Sequence, residues 1–164
     1  MNSNEITEIE NVTKVKIKRE RKKQEPLEIC FNSENNNWEI GIDEAGRGPL
    51  FGRVYTAAVV LPKDKDLFDH SLMKDSKKFT SKKKLNQVFE NIINCKGLIY
   101  CVDSADHEEI DKHNILQATQ RSMHRSITGV VKKYIESKND ENFNMNQIKI
   151  CVDGNYFNSY KYFY

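Results

Sequence analysis

The strongest constraint in this 164-residue chain is an apolar, strand-length segment that runs into two adjacent acids and then a glycine-rich turn. Trp38 to Asp43 (WEIGID) reads as a short strand ending in the pair Asp43-Glu44, and Gly46, Gly48 and Gly52 follow in the loop AGRGPLFG. Carboxylate oxygens are the donors that hard divalent cations take, and glycines let a polyanionic backbone come close. The combination suits a metal ion beside a phosphate. Successive side chains on a regular strand point to opposite faces. Asp43 and Glu44 are therefore expected to share one site only through a break in the strand, and Gly46, Gly48 and Pro49 are suited to make one.

The rest of the chain reads as alternating strands and helices. Val54 to Leu61 (VYTAAVVL) is nearly continuous apolar or small, as in a strand buried on both faces, and Pro62 stops it. Ser76 to Asn94 places Phe79, Leu85, Val88, Phe89, Ile92 and Ile93 near helical spacing, with Thr80 or Ser81 as N-cap. Gly97 to Asp103 reads as a third strand. A short acidic helix from Ala105 and a longer one to about Ser137 follow, then a polar loop over Lys138 to Gln147. Ile148 to Asp153 (IKICVD) is a fourth strand ended by Gly154. These elements predict an α/β fold around a mixed sheet flanked by helices, with ligands beyond the strand ends. If the strands ending in Asp43 and Asp153 are parallel neighbours, their carboxylates converge.

Composition narrows the class. One domain fits this length, and residues 1–37, rich in Asn, Glu and Lys, read as a disordered extension before a domain over 38–164. The net charge of +2 does not by itself call for nucleic acid, but its distribution is uneven. Lys14 to Lys23 holds seven basic residues against one acidic, and Lys74 to Lys84 six against one. Such runs are most often solvated surface, and otherwise neutralise phosphates. Cys30, Cys95, Cys101 and Cys151 show neither zinc spacing nor a disulfide framework. No apolar run approaches membrane-spanning length, and MNSNEITEIE has no signal-peptide core. The expected setting is intracellular and cytoplasmic, with a nuclear address on Lys14 to Lys23 as the alternative.

Five segments in order, GIDEAGRGPLFG, AAVVLP, DSKK, IDKHNILQAT and VDGN, resemble type 2 ribonuclease H, ribonuclease HII, over about Ile40 to Asn155. The resemblance implies a ribonuclease H-like fold and a monomer that cleaves RNA in RNA–DNA hybrids. It also implies incision at ribonucleotides embedded in duplex DNA, with Mn2+ or Mg2+, leaving 5′-phosphate and 3′-hydroxyl ends. By motif, Asp43, Glu44 and Asp153 match the family's metal-binding, catalytic carboxylates. Gly46, Arg47 and Gly48 match the loop that reads the 2′-hydroxyl, the group that separates ribose from deoxyribose. Lys77 and Lys78 fall in a region near the nucleic-acid backbone, and the NILQAT segment is expected to pack, with Asn114 its one polar candidate for substrate contact.

Two departures from the family pattern stand out. Arg53 and Tyr55 replace a proline and a smaller residue. The family also continues past the VDGN segment with a fourth catalytic aspartate, a stacking tyrosine and C-terminal helices, so the expected domain is incomplete at its C-terminus. A complementing C-terminal polypeptide would complete it. The alternative is a catalytically impaired nucleic-acid-binding fragment. The aromatic run from Tyr156 to Tyr164 reads as an unfinished core segment in preference to a base-stacking platform.

Overall fold

A computed structural model of the chain describes residues 28–31, 38–138, 148–154 and 156–161. Its four strands are β1 (Trp38–Ala45), β2 (Val54–Val60), β3 (Ile99–Ala105) and β4 (Ile148–Val152), in the order β3-β2-β1-β4. β1 pairs antiparallel with β2, β2 antiparallel with β3, and β1 parallel with β4. The expected mixed sheet is therefore present, and β1 and β4 are the parallel neighbours that the acid placement requires. The loop expected over Lys138 to Gln147 lies almost wholly outside the described residues, as does the basic run Lys14 to Lys23. Phe31, within the segment read as an extension, donates its N–H to Glu39 Oε2 at 2.8 Å.

One long helical span, α2 (His107–Lys138), covers one face of the sheet. Ile40, Ile42, Ala58 and Val60 from the strands meet Met123, Ile127, Val130 and Val131 of α2, all buried. Each such side chain gains about 1.5–3 kcal/mol over staying in water. This contact is the main source of stability. α1 (Lys82–Ile93) has no buried residue, so it gains little from packing. Isolated helices of about a dozen residues are marginal in water. The helix expected within Ser76 to Asn94 begins at Lys82 after Ser81, one of the two expected N-caps, and Asp75 caps a separate 3-10 turn, Ser76–Lys78, by accepting the Lys77 N–H. On the other sheet face Tyr55, Tyr100 and Val102 are exposed, so β2 is buried on the α2 side only and not on both faces as read from sequence.

The expected pair of helices after Ala105 is present as α2 with one interruption. Asn114 has φ 62° and ψ 161°, outside helical space. Its Oδ1 accepts the N–H groups of Leu116 (3.0 Å) and Gln117 (3.1 Å), so it caps the longer segment. The two parts are tied by a charged fork. Arg125 Nη1 and Nη2 donate to Glu109 Oε1 and Oε2 at 2.9 Å each, while its Nε reaches Asp103 Oδ1 at 2.8 Å. Beneath it the Thr56 hydroxyl shares 2.8 Å hydrogen bonds with Ser122 and Ser126. Buried hydroxyls left alone would cost more than they return, and here each is partnered. The segment after Gly154 is pinned by Gln120, which accepts from Asn158 N–H and donates to the Tyr156 carbonyl. Phe157 and Tyr160 pack on the core, as read from sequence, whereas Tyr156 is exposed.

Two outcomes test this packing. A Cβ placed on Gly129 would run into Cys101 Sγ and lie 3.0 Å from Cys101 Cβ, so α2 packs closely on β3 there. Gly129→Ala should destabilise the fold by about 1–3 kcal/mol in denaturant titration. Adding Cys101→Ala should recover part of that loss, because the colliding sulfur is gone while the Cβ contact remains. For the fork, hydrogen bonds from Arg125 hold the Glu109 carboxyl below its ordinary range, against the opposing effect of burial. A depressed carboxylate contributes stability above its unfolded pKa and loses it as pH falls through the folded value. Glu109→Gln should therefore melt earlier than the parent near pH 7, with the two curves converging as pH falls through the depressed Glu109 pKa.

Candidate metal centre and nucleic-acid interface

The carboxylates sit where two parallel strands end side by side. Asp153 follows β4, and its N–H donates to the Ile42 carbonyl at 3.2 Å, which extends the β1–β4 ladder to the residue before Asp43. Asp43 is exposed at the end of the same β1 row, opposite Ala57 of β2. Burial pushes the Asp43 carboxyl above its ordinary range; the bonded Glu44 N–H (2.7 Å) opposes this, the charges of Asp153 and Glu44 push it higher, and Lys77 pulls it back. Neither Asp43 nor Asp153 forms an ion pair among the described residues. Two neighbouring acids with no direct ion-pair partner among the described residues form a place for a cation.

Glu44 behaves differently. β1 does not break at the acid pair but continues through Ala45. The expected break is therefore corrected: hydrogen bonds from β2 hold Asp43 and Glu44 in register with Ala57 and Thr56, so their side chains leave opposite sheet faces. Glu44 is largely covered and its Oε1 accepts from Arg47 Nη1 at 3.2 Å. Among the described residues no three His, Cys, Asp or Glu side chains are grouped to hold one ion. Asp43 and Asp153 fit a divalent cation by donor chemistry and mutual repulsion; Glu44 lies within electrostatic reach but is bound elsewhere.

The glycine loop is shaped by close approach. Gly46 has φ 91°, and a Cβ there would lie 2.6 Å from the Arg53 carbonyl oxygen, so only glycine lets the loop fold back on the start of β2. Gly48 faces open space, with room for a ligand over the backbone. Arg47 is half-exposed beside it. Arg53 points instead toward Ser104 and Asp106, at 3.5 and 3.8 Å. Lys77 and Lys78 are both exposed on the 3-10 turn, and the Lys77 charge acts to lower the Asp43 pKa. Asn114 spends its side-chain oxygen on a helix cap. A cavity of about 810 Å³, lined by Phe31, Trp38, Leu61, Leu67 and Cys151 among others, opens at the start of β1; none of the three acids lines it.

A ribonuclease HII family model matches residues 40–156. The chain belongs to the ribonuclease HII family. Among curated relatives, a ribonuclease HII of Treponema denticola is 44% identical over 74% of this chain and 59% of its own length. Those of Bacteroides thetaiotaomicron and Cytophaga hutchinsonii are 38% and 37% identical, over 74% and 80% of this chain and 52% and 56% of their own lengths. The ribonuclease HII-type chain thus spans a little over half the length of these relatives. A solved structure of a Bst-RNase HIII mutant protein matches at 15% identity and a TM-score of 0.47, over 72% of this chain and 46% of its own. The mixed sheet with helices agrees with the ribonuclease H-like architecture that the resemblance implied. No helix among the described residues is long and apolar enough to cross a membrane.

Asp103, in the same cross-strand row as Glu44, and its partner Arg125 on α2 carry no motif that singles them out in the sequence. Asp103 pairs with Thr56, and Thr56 pairs with Glu44. The available signal was the alternation Cys101, Asp103, Ala105 in β3, which puts an acid on the face turned to α2.

The Asp43 environment has a consequence that can be measured without substrate. Because its folded pKa is raised, the charged form is disfavoured, and the parent gains stability as pH falls through that value. In metal-free buffer, Asp43→Asn should melt at a higher temperature than the parent near neutral pH. That advantage should vanish on acidification through the carboxylate range.

Proposed function

We propose that this chain carries the cleaving centre of an endoribonuclease that hydrolyses RNA in RNA–DNA hybrids and incises at ribonucleotides embedded in duplex DNA. The observation that carries this reading is the meeting of Asp43 and Asp153 at the ends of adjacent parallel strands, in a chain of the ribonuclease HII family. In this reading Asp43 and Asp153, with Glu44 once released from Arg47, hold Mn2+ or Mg2+. Such an ion, when bound, lowers the pKa of water and stabilises the leaving oxygen of a phosphodiester.

The protein's own groups do the positioning. The exposed backbone around Gly48 lies against the ribose 2′-hydroxyl, and the Arg47 guanidinium reaches the adjoining phosphate once it leaves Glu44. Exchange of Arg47 from Glu44 to phosphate frees the Glu44 carboxylate at the same moment, so substrate arrival and the gathering of acids are coupled. Lys77 and Lys78 neutralise phosphates beside the acids. An exposed centre of this kind suits a polymer. In this reading the products are a 5′-phosphate and a 3′-hydroxyl, and the protein acts as a monomer in the cytoplasm.

The Glu44–Arg47 pair also favours a second reading, a nucleic-acid-binding fragment impaired in catalysis, because it withholds one carboxylate. One assay separates the two. The parent should nick duplex DNA containing a single ribonucleotide when Mn2+ is supplied, and Asp43→Asn should lose more than the roughly 10–100-fold that changing even an outer-shell partner of a metal ligand costs. Arg47→Ala should reduce the preference for the ribonucleotide junction more than it reduces affinity for plain DNA. Binding to hybrid without any nicking by the parent establishes the second reading and removes the first.

A further inference from the structure

The chain leaves β4 with little beside it to set its direction. The β1–β4 ladder ends at the Asp153 N–H on the Ile42 carbonyl, and Gly154 follows with φ 142°. A Cβ added to Gly154 would meet nothing within 4 Å, so no packing fixes that joint. Glycine adopts positive φ without strain, and the same freedom lets the chain beyond it swing. Asp153 itself is exposed, and the ladder anchors it only from the β4 side.

The anchors on the far side come from α2. Gln117, Gln120, His124 and Thr128 recur at helical spacing and share one face. Gln120 is 3% exposed, and both ends of its amide reach main chain. Its Nε2 donates to the Tyr156 carbonyl at 3.1 Å, and its Oε1 accepts the Asn158 N–H at 3.0 Å. Gln117 Oε1 accepts from Asn158 Nδ2 at 3.2 Å, and His124 Nε2 donates to the Asn158 carbonyl at 3.1 Å. Thr128 shares a 2.9 Å bond with the Tyr160 hydroxyl. Of these four side chains only Gln120 holds Tyr156, three positions after Asp153. Three residues of chain span at most about 11 Å, so fixing Tyr156 limits where the peptide after Asp153 can point. A buried amide is costly unless its groups are bonded, and an apolar side chain would fill that place without the demand.

We propose that Gln120 is a positioning residue for Asp153. By holding the main chain of Tyr156 and Asn158 against α2, it sets the direction in which the chain leaves β4, and with it the aim of the Asp153 carboxylate beside Asp43. This role rests on the nuclease reading, in which the two acids hold a divalent cation. Gln120 touches neither that ion nor the nucleic acid; it acts through three residues of backbone, one of them the unpacked Gly154. Thr128 grips the same segment seven positions after Asp153, beyond the point where it could steer the acid. The helix that carries the core thus also fixes one ligand.

The test uses the full chain without substrate. Gln120→Met keeps the side-chain length and loses both bonds, whereas Thr128→Val loses only the grip on Tyr160. Gln120→Glu keeps the acceptor and loses the donor; its effect should fall between parent and Gln120→Met, and it replaces the methionine variant if that one does not fold. Titration with Mn2+, followed by the resonance signal of the free ion, should give a Kd raised about tenfold or more in Gln120→Met, as when a partner of a metal ligand is removed. Thr128→Val should keep the parent Kd even where its melting temperature falls as far. In metal-free buffer the Asp153 N–H should exchange with deuterium roughly tenfold faster in Gln120→Met, and at the parent rate in Thr128→Val. If Asp153→Asn raises the Kd and Gln120→Met does not, the proposal is overturned. An equal rise in Thr128→Val also overturns it, because the contacts are then a general brace. Failure of the nuclease reading looks different: Mn2+ affinity is unmoved by Asp153→Asn, with the faster Asp153 exchange intact. Unchanged exchange sinks the Gln120 role with or without metal.

Discussion

Parallel pairing of β1 with β4 is the contact on which the site depends. The ladder from Trp38↔Ile148 to Ile42↔Val152, extended by the Asp153 N–H on the Ile42 carbonyl, carries Asp153 to the end of the strand that bears Asp43. More than a hundred positions of chain separate the two acids. Backbone hydrogen bonds set this register, and side-chain alternation makes a one-residue slip costly: Ile40 and Ile42 would leave the core under α2. The apolar core and the acid pair are thus held by the same ladder. Anything that loosens α2 from the sheet loosens the site.

Around that ladder the charges are sorted into satisfied and unsatisfied groups. Asp103 and Glu109 are neutralised by Arg125, whose fork also ties the two parts of α2 across the Asn114 interruption. Asp43 and Asp153 receive no such partner. A fold that could neutralise acids with arginine a few residues away leaves these two repelling each other. The Glu44–Arg47 pair lies between these cases: half of it is a carboxylate beside the centre, and half is a cation beside an open glycine loop. Such a pair exchanges partners readily, because an exposed ion pair is worth only about 0–1 kcal/mol.

Much was legible in the residues. The placement of Asp43 on the first strand and of Asp153 just after the fourth, the interruption after the short acidic helix, and the close-packed Gly46 turn follow from local pattern, as does family membership through five segments in order. Two local readings failed for identifiable reasons. The strand did not break at the acids, because β2 offers hydrogen-bonding partners through Ala45 and the turn glycines act only afterwards. β2 is not buried on both faces, because α2 covers one side of the sheet and Tyr55 and Ala57 stay exposed on the other.

The residues alone determined which groups are available: apolar strands that must pair, an acid at the end of two of them, and glycines where backbone must come near other atoms. Each of these is a property of a side chain or of its immediate neighbours. Only the tertiary structure decided which acids meet and which are neutralised. Arg125 lies 22 positions from Asp103, and Asp153 reaches Asp43 through a parallel pairing that no local pattern encodes. Coulomb interaction depends on distance in space, and the fold sets that distance.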